Sequence, residues 1–235
     1  MKYSITTIGY KSAENIKRAV EEAFIYSTFK PTEFVVVINP YEFNIAETER
    51  ILAYVKAEPR VTRWAYMSQN VGCAKAFNIG FKLCEEEFIV ALSDDCRVGP
   101  STYSRMISGF SDPFVGVVGV ESGGKPEEDA TITAKGFLLA YRKSMIDKIG
   151  GYDEIASPLG DEREFGLRAA INGYRTVIVP GCEWHHIHDI SNHPTDKINY
   201  FGRVISPKGE NPFQERTEGI LQAKINEYNK KLYNS

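Results

Sequence analysis

Three short stretches of this chain concentrate side chains that could do chemistry. The first is Ser93-Asp94-Asp95, inside "EFIVALSDDCRVGP" (87–100). Carboxylates at such a place can bind a hard divalent cation. Mg²⁺ commonly takes one or two of them and fills its other positions with phosphate oxygens and water. The competing reading is a solvated turn, since Asp is a common turn former. The second stretch is "WHHIHD", which puts His185, His186 and His188 within four residues just after Pro180. Imidazoles so close together suit metal ligation or proton chemistry, and beside carboxylate and phosphate oxygens they favour Mn²⁺ over Mg²⁺. On an extended segment His186 and His188 point one way and His185 the other. The third is "GDEREFG" (160–166). Here Asp161 and Glu164 have the spacing of a helix cap and its partner. That leaves Glu162 in the first helical turn, where the macrodipole favours an ionised carboxylate. Such a group can accept a proton from a hydroxyl nucleophile.

The elements around these stretches say how they are held. Phe88 to Leu92 run without alternation, as a strand covered on both faces does. An unpaired charge cannot follow that strand into a core, so Asp94 and Asp95 are presented at its end. Upstream, "YSITTIGY" (3–10) and "EFVVVIN" (33–39) read as strands, and a third lies near Val61 to Met67. Helices capped by Ser12, running through Ile51, Leu52 and Val55, and spanning "NVGCAKAFNIGFKLC", alternate with them. Repeated strand–helix–strand units predict an α/β fold with a mostly parallel sheet flanked by helices. Ligands of such sheets bind beyond the carboxyl ends of the strands. The second half is less regular. "FVGVVGVESGG" reads as a strand and turn, "GFLLAYRKSMIDKIGGYDE" as a strand, helix and turn, and "GDEREFGLRAAINGYRTVIVPG" as a helix stopped at Asn172-Gly173 before a strand closed by Pro180. The polar tail from about Gln214 to Tyr233 reads as helical, packing on the domain or on a partner.

Composition excludes several function classes. The 235 residues are 43% hydrophobic and 25% charged, ordinary for a globular protein. A net charge of −3 gives a nucleic-acid partner no electrostatic support. The four cysteines form no CxxC pair, which argues for reduced thiols in a cytoplasmic protein rather than zinc. No stretch approaches the ~20 apolar residues of a membrane span. Peripheral contact with a membrane is still compatible with the sequence.

Taken in order, four segments resemble the GT-A fold glycosyltransferases, and within them the mostly inverting family 2. "NVGCAKAFNIG" (70–80) is similar to that family's Asn-x-Gly…Asn-x-Gly helix, and "VALSDDCRVGP" to its Asp-x-Asp strand end. "GFLLAYRKSMIDKIGGYDE" and "GDEREFGLRAAINGYRTVIVPGCEWHH" are similar to its Gly…Arg…Ile-Gly-Gly-Phe-Asp-Glu and Glu-Asp-x-Asp…His blocks. The resemblance runs from residue 3 to about 188. It implies a GT-A, Rossmann-like fold over 1–235: a nucleotide-sugar-binding half (1–120), a smaller mixed acceptor half (121–200) and a tail (201–235). It also implies transfer from a nucleotide-sugar, a UDP-sugar being favoured, to a hydroxyl of a glycan, lipid-linked or protein acceptor.

Residue by residue, the resemblance makes Asp95 a ligand of Mn²⁺ or Mg²⁺ and Asp94 a ribose or metal contact. His186 is preferred to His185 as a further ligand, with His188 beside it. Glu162 becomes the base of an inverting displacement, next to Asp161; under a retaining course it would orient the acceptor instead. Gly9 and Tyr10 fall where the nucleotide base lies, and Gly136 where backbone approaches the sugar or acceptor. Asn78 belongs to the Asn-x-Gly helix. Three positions depart from the pattern. Asn39 stands where the family has an acid, and could bond a uracil edge. Phe77 stands where an arginine often meets the diphosphate, with Lys75 as its substitute. Ser93 replaces the first acid of Asp-x-Asp. Two rivals remain: a nucleotidyltransferase acting on sugar phosphates, against which no Gly-rich triphosphate loop follows the first strand, and an inactive nucleotide-sugar-binding module, which would have lost the base.

Overall fold

The computed structural model describes residues 1–121, 136–154 and 161–187, with helical residues 219, 222–224, 226–227 and 230 near the C-terminus. Strands β1 (Tyr3–Gly9), β2 (Glu33–Ile38), β3 (Arg63–Tyr66) and β4 (Phe88–Leu92) alternate with helices α1 (Ala13–Glu21), α2 (Ile45–Ala57) and α3 (Cys73–Leu83). A short strand β5 (Cys96–Val98) and helix α4 (Thr102–Ser108) lead to β6 (Val115–Val120). Then come β7 (Leu138–Arg142), α5 (Lys143–Ile149), α6 (Asp161–Ile171), β8 (Arg175–Val179) and β9 (Trp184–His186).

Seven strands form one sheet in the order β3-β2-β1-β4-β7-β6-β8. The pairs β1–β2, β2–β3, β1–β4 and β6–β8 are parallel. Among the described strands of this sheet, β7 alone runs against its neighbours, β4 and β6. The expected mostly parallel α/β sheet is therefore present, and the irregular second half is where the reversed strand enters.

The apolar run of β4 is explained by its central position. Phe88, Val90 and Leu92 enter one core with Ile16, Ile51 and Met106. Ile89 and Ala91 enter a second, on the opposite face, with Phe77, Phe81, Tyr141 and Phe165. All five residues are buried, each large one contributing about 1.5–3 kcal/mol. Helix α1 starts where predicted, with the Ser12 hydroxyl accepting from the Asn15 amide at 3.1 Å. Helix α3 lies so close to β1 that a Cβ at Gly80 would fall 2.1 Å from Thr6 Oγ1, which is why glycine stands there. Among the described residues no helix is long and apolar enough to cross a membrane.

Candidate active site

Strand order reverses direction at β1. The chain builds β2 and β3 on one side of it and then crosses to place β4 on the other, and such a switch point opens a crevice beyond the strand ends. Tyr10 and Lys11 leave β1 on one side of this crevice, and Ser93-Asp94-Asp95 leave β4 on the other. The Tyr10 and Tyr41 rings meet edge to face at 5.1 Å, and Lys11 Nζ lies 5.8 and 5.6 Å from their centres.

The acidic turn is tightly made. Ser93 N donates to Phe137 O at 2.8 Å, Cys96 N to Ser93 O at 3.0 Å, and Ser93 Oγ to Asp95 Oδ1 at 2.5 Å. The chain then enters β5, which pairs antiparallel with β9 and sets Cys96 opposite His186. His186 Nε2 thereby comes to 3.0 Å from Asp95 Oδ1, across 91 residues of sequence. The alternation expected of an extended segment holds: His185 is exposed and His186 is turned inward, its ring stacked on Phe137 at 4.7 Å. His188 lies outside the described residues.

Asp94 is half-buried. Burial pushes its carboxyl up to about 7, the charge of Asp95 adds to this, and Arg18 and Lys11 act in the opposite direction. Cys96, beside Asp95, is buried too, and burial pushes its thiol up to about 12, so it is no nucleophile at neutral pH. Among the described residues no group of three or more His, Cys, Asp and Glu could hold a metal by itself. The available donor set is one carboxylate and one imidazole. That set fits a divalent cation that shares its coordination with phosphate oxygens and water.

Glu162 occupies the first turn of α6 and is half-buried. Its carboxylate lies against the start of the β7 segment, where a Cβ added to Gly136 would meet Glu162 Oε1 at 2.5 Å. It borders a small cavity with Leu139, Tyr141 and Phe165. Phe137, the next residue, stacks on His186, so one short segment connects the Asp95–His186 pair with the Glu162 carboxylate. Helix α6 begins at Asp161. The capping-box reading of Glu164 does not hold: this side chain is buried and takes both nitrogens of a bidentate Arg168 at 3.0 and 2.7 Å.

Several residues expected at the ligand have structural work. Asn39 is fully buried; its amide nitrogen donates to Asn70 Oδ1 and its oxygen accepts from Val71 N, both at 2.9 Å. Enclosed in this way, it shapes the loop before α3. Asn78 holds Tyr152 through both backbone groups, at 2.9 and 2.7 Å, and so ties α3 to the segment after α5. Phe77 is buried against Phe81 and Tyr152, so packing and not the ligand decides that position. Lys75 is exposed on the first turn of α3. The resemblance gave Gly136 as a place where backbone approaches the sugar or acceptor, and its close approach to Glu162 is seen only in the structure. Nothing in the local pattern shows it, because the two residues meet only through the reversed strand.

The family model for glycosyl transferase family 2 matches residues 4–160, more than half of the chain. The chain belongs to glycosyl transferase family 2. Among solved structures this glycosyltransferase is similar to the mannosyltransferase PcManGT of Pyrobaculum calidifontis, in complex with GDP-Man and Mn²⁺. The identity is 15% over 99% of this chain and 74% of that one, at a TM-score of 0.63. It is similar to TarS of S. aureus in complex with UDP-GlcNAc, with 17% identity over 96% of this chain and 66% of that one and a TM-score of 0.59. GalNAc-T7 with UDP, GalNAc and Mn²⁺ matches at 14% identity over 79% and 44% of the two chains, with a TM-score of 0.61. These likenesses establish the GT-A fold. Among curated proteins none matches in sequence.

Proposed function

We propose that this family 2 enzyme transfers a sugar from a nucleotide-sugar, a UDP-sugar being favoured, to a hydroxyl acceptor by inverting displacement. The reading is carried by the 3.0 Å contact of Asp95 with His186 at the end of the central strand. A carboxylate and an imidazole 91 residues apart have been brought to the point where a sheet of this kind binds its ligand. Solved proteins of the same fold hold GDP-Man or UDP with Mn²⁺.

Asp95 and His186 would hold Mn²⁺ or Mg²⁺, which supplies electrostatic stabilisation of the charge developing on the departing nucleoside diphosphate. The Ser93 hydroxyl orients Asp95 by donating to Oδ1. Asp94 faces the same crevice as a ribose contact, and Tyr10 with Tyr41 offers aromatic surface to the base. Glu162 accepts the proton of the acceptor hydroxyl as that oxygen attacks the anomeric carbon. The acceptor is a glycan, a lipid-linked sugar or a protein hydroxyl.

The test is thermal unfolding with UDP, GDP, CDP and dTDP, each with and without Mn²⁺, for the wild type and Asp95→Ala. A ligand at about 100 times its Kd adds roughly 2.7 kcal/mol, several degrees for a chain of this size. One nucleotide should shift the wild type only when metal is present, and Asp95→Ala should abolish that shift. A metal-independent shift kept by Asp95→Ala would refute the metal role of the turn.

A further inference from the structure

Among the helical residues near the C-terminus, Lys224 reaches two acids of the main domain. Residues 219, 222, 223, 226, 227 and 230 are exposed, and Lys224 is not. Its ammonium group donates to Asp153 Oδ2 and lies 3.6 Å from Glu164 Oε1. These acids belong to different elements. Asp153 follows Tyr152, whose backbone Asn78 of α3 grips. Glu164 lies in α6, two residues after Glu162, with 2% of its side chain exposed.

Arg168 completes the cluster. Besides binding Glu164, it donates to the carbonyls of Ile149 and Gly151 at 2.6 and 2.7 Å. Two acids and two bases thus join the end of α5, the 150–154 turn, α6 and the helical residues 222–224. An isolated surface pair contributes little. Here one carboxylate is buried, so each cation near it counts for more, and removing one leaves the buried charge undercompensated.

We propose that the helical residues 222–224 strap the catalytic helix, and that Lys224 is a positioning residue for glycosyl transfer, acting on Glu162 through Glu164 and α6. This rests on the assignment of Glu162 as base. Lys224 touches no substrate. It holds the turn of α6 that presents the Glu162 carboxylate to Gly136 and the Asp95–His186 side of the crevice.

The test uses the full chain as wild type, Lys224→Met, Lys224→Arg, Asp153→Asn and the Lys224→Met/Asp153→Asn double variant. Two readouts are taken: amide hydrogen exchange over 161–171, and release of nucleoside diphosphate from a panel of UDP- and GDP-sugars. Lys224→Met should raise exchange across α6 and lower kcat by about tenfold, the scale of a half-buried ionic contact. The donor KM should stay unchanged. Lys224→Arg should restore both readouts, and the double variant should be no worse than Lys224→Met, since the two groups share one interaction. Unchanged exchange in Lys224→Met overturns the strap. Raised exchange with normal kcat overturns the positioning role. Glu162→Gln, with the strap intact, is scored separately: if it keeps full turnover, the assignment of the base fails, while exchange still judges the strap.

Discussion

Gly136→Ala isolates the geometry of the base from the stability of the fold. The new methyl group would sit 2.5 Å from Glu162 Oε1, 3.0 Å from its Cδ and 3.6 Å from its Oε2, so the nearest atoms it meets all belong to that one side chain. Ordinary contact begins near 3.4 Å, so the carboxylate must retreat by about 0.9 Å. It can do so at small cost in stability, because it is the end of a flexible side chain at a half-buried position. The fold should therefore persist, with a melting temperature within a degree or two of the wild type. Catalysis is less tolerant. Displacing a reacting group by about 1 Å can cost on the order of 10²-fold, or about 2.7 kcal/mol in the barrier. Initial rates with a nucleotide-sugar and acceptor should show kcat lowered about 100-fold and donor KM unchanged, since the Asp95–His186 pair is not moved. Wild-type kcat in Gly136→Ala would show that Glu162 does not act from the position the structure gives it. An equal loss of rate and stability would show that the methyl group disturbs β7 instead.

Two further outcomes follow from other parts of the structure. His185 and His186 are adjacent but face opposite ways, so His186→Ala should abolish the Mn²⁺-dependent part of the nucleotide shift and His185→Ala should keep it, as read by the same thermal assay; equal behaviour would contradict the β5–β9 register. Glu33, buried on β2, accepts from Ser4 Oγ at 2.5 Å, Arg63 Nη1 at 2.5 Å and Glu85 N at 2.8 Å. Burial opposes its ionisation, but the Ser4, Glu85 and Arg63 contacts outweigh it and hold the carboxyl below its ordinary 4.5. A lowered folded-state value adds stability that is fully present above the unfolded value and lost as pH falls through the folded one. Glu33→Gln should therefore cost about 2 kcal/mol at pH 7 and much less at pH 3, measured by urea unfolding; a penalty independent of pH would mean that the charge of Glu33 contributes nothing.

What could be read from the sequence depended on how far apart the interacting residues lie. The run from Phe88 to Leu92 announces its own environment, because a strand with a wet face would alternate, and the Ser12 cap and the helical spacing of Ala74, Phe77 and Phe81 are equally local signals. The inward turn of His186 was half legible: alternation separates it from His185, but only the pairing of β9 with β5 says which face meets Asp95. Asn39 and Phe77 show the limit. Both stand at positions where the family pattern suggests a ligand contact, and at both a neighbour distant in sequence takes the side chain: Asn70 and Val71 in one case, Tyr152 in the other. A polar residue in a binding motif and a polar residue bracing the loop behind it look alike in one dimension. Burial separates them, since a donor and acceptor already satisfied inside the protein gain little from a ligand they cannot reach. The same reasoning moves Glu164 from cap to core. Three residues after Asp161 it has a capping partner's spacing, yet its carboxylate faces Arg168 and Lys224, and Lys224 is a partner 60 residues away that no local pattern contains.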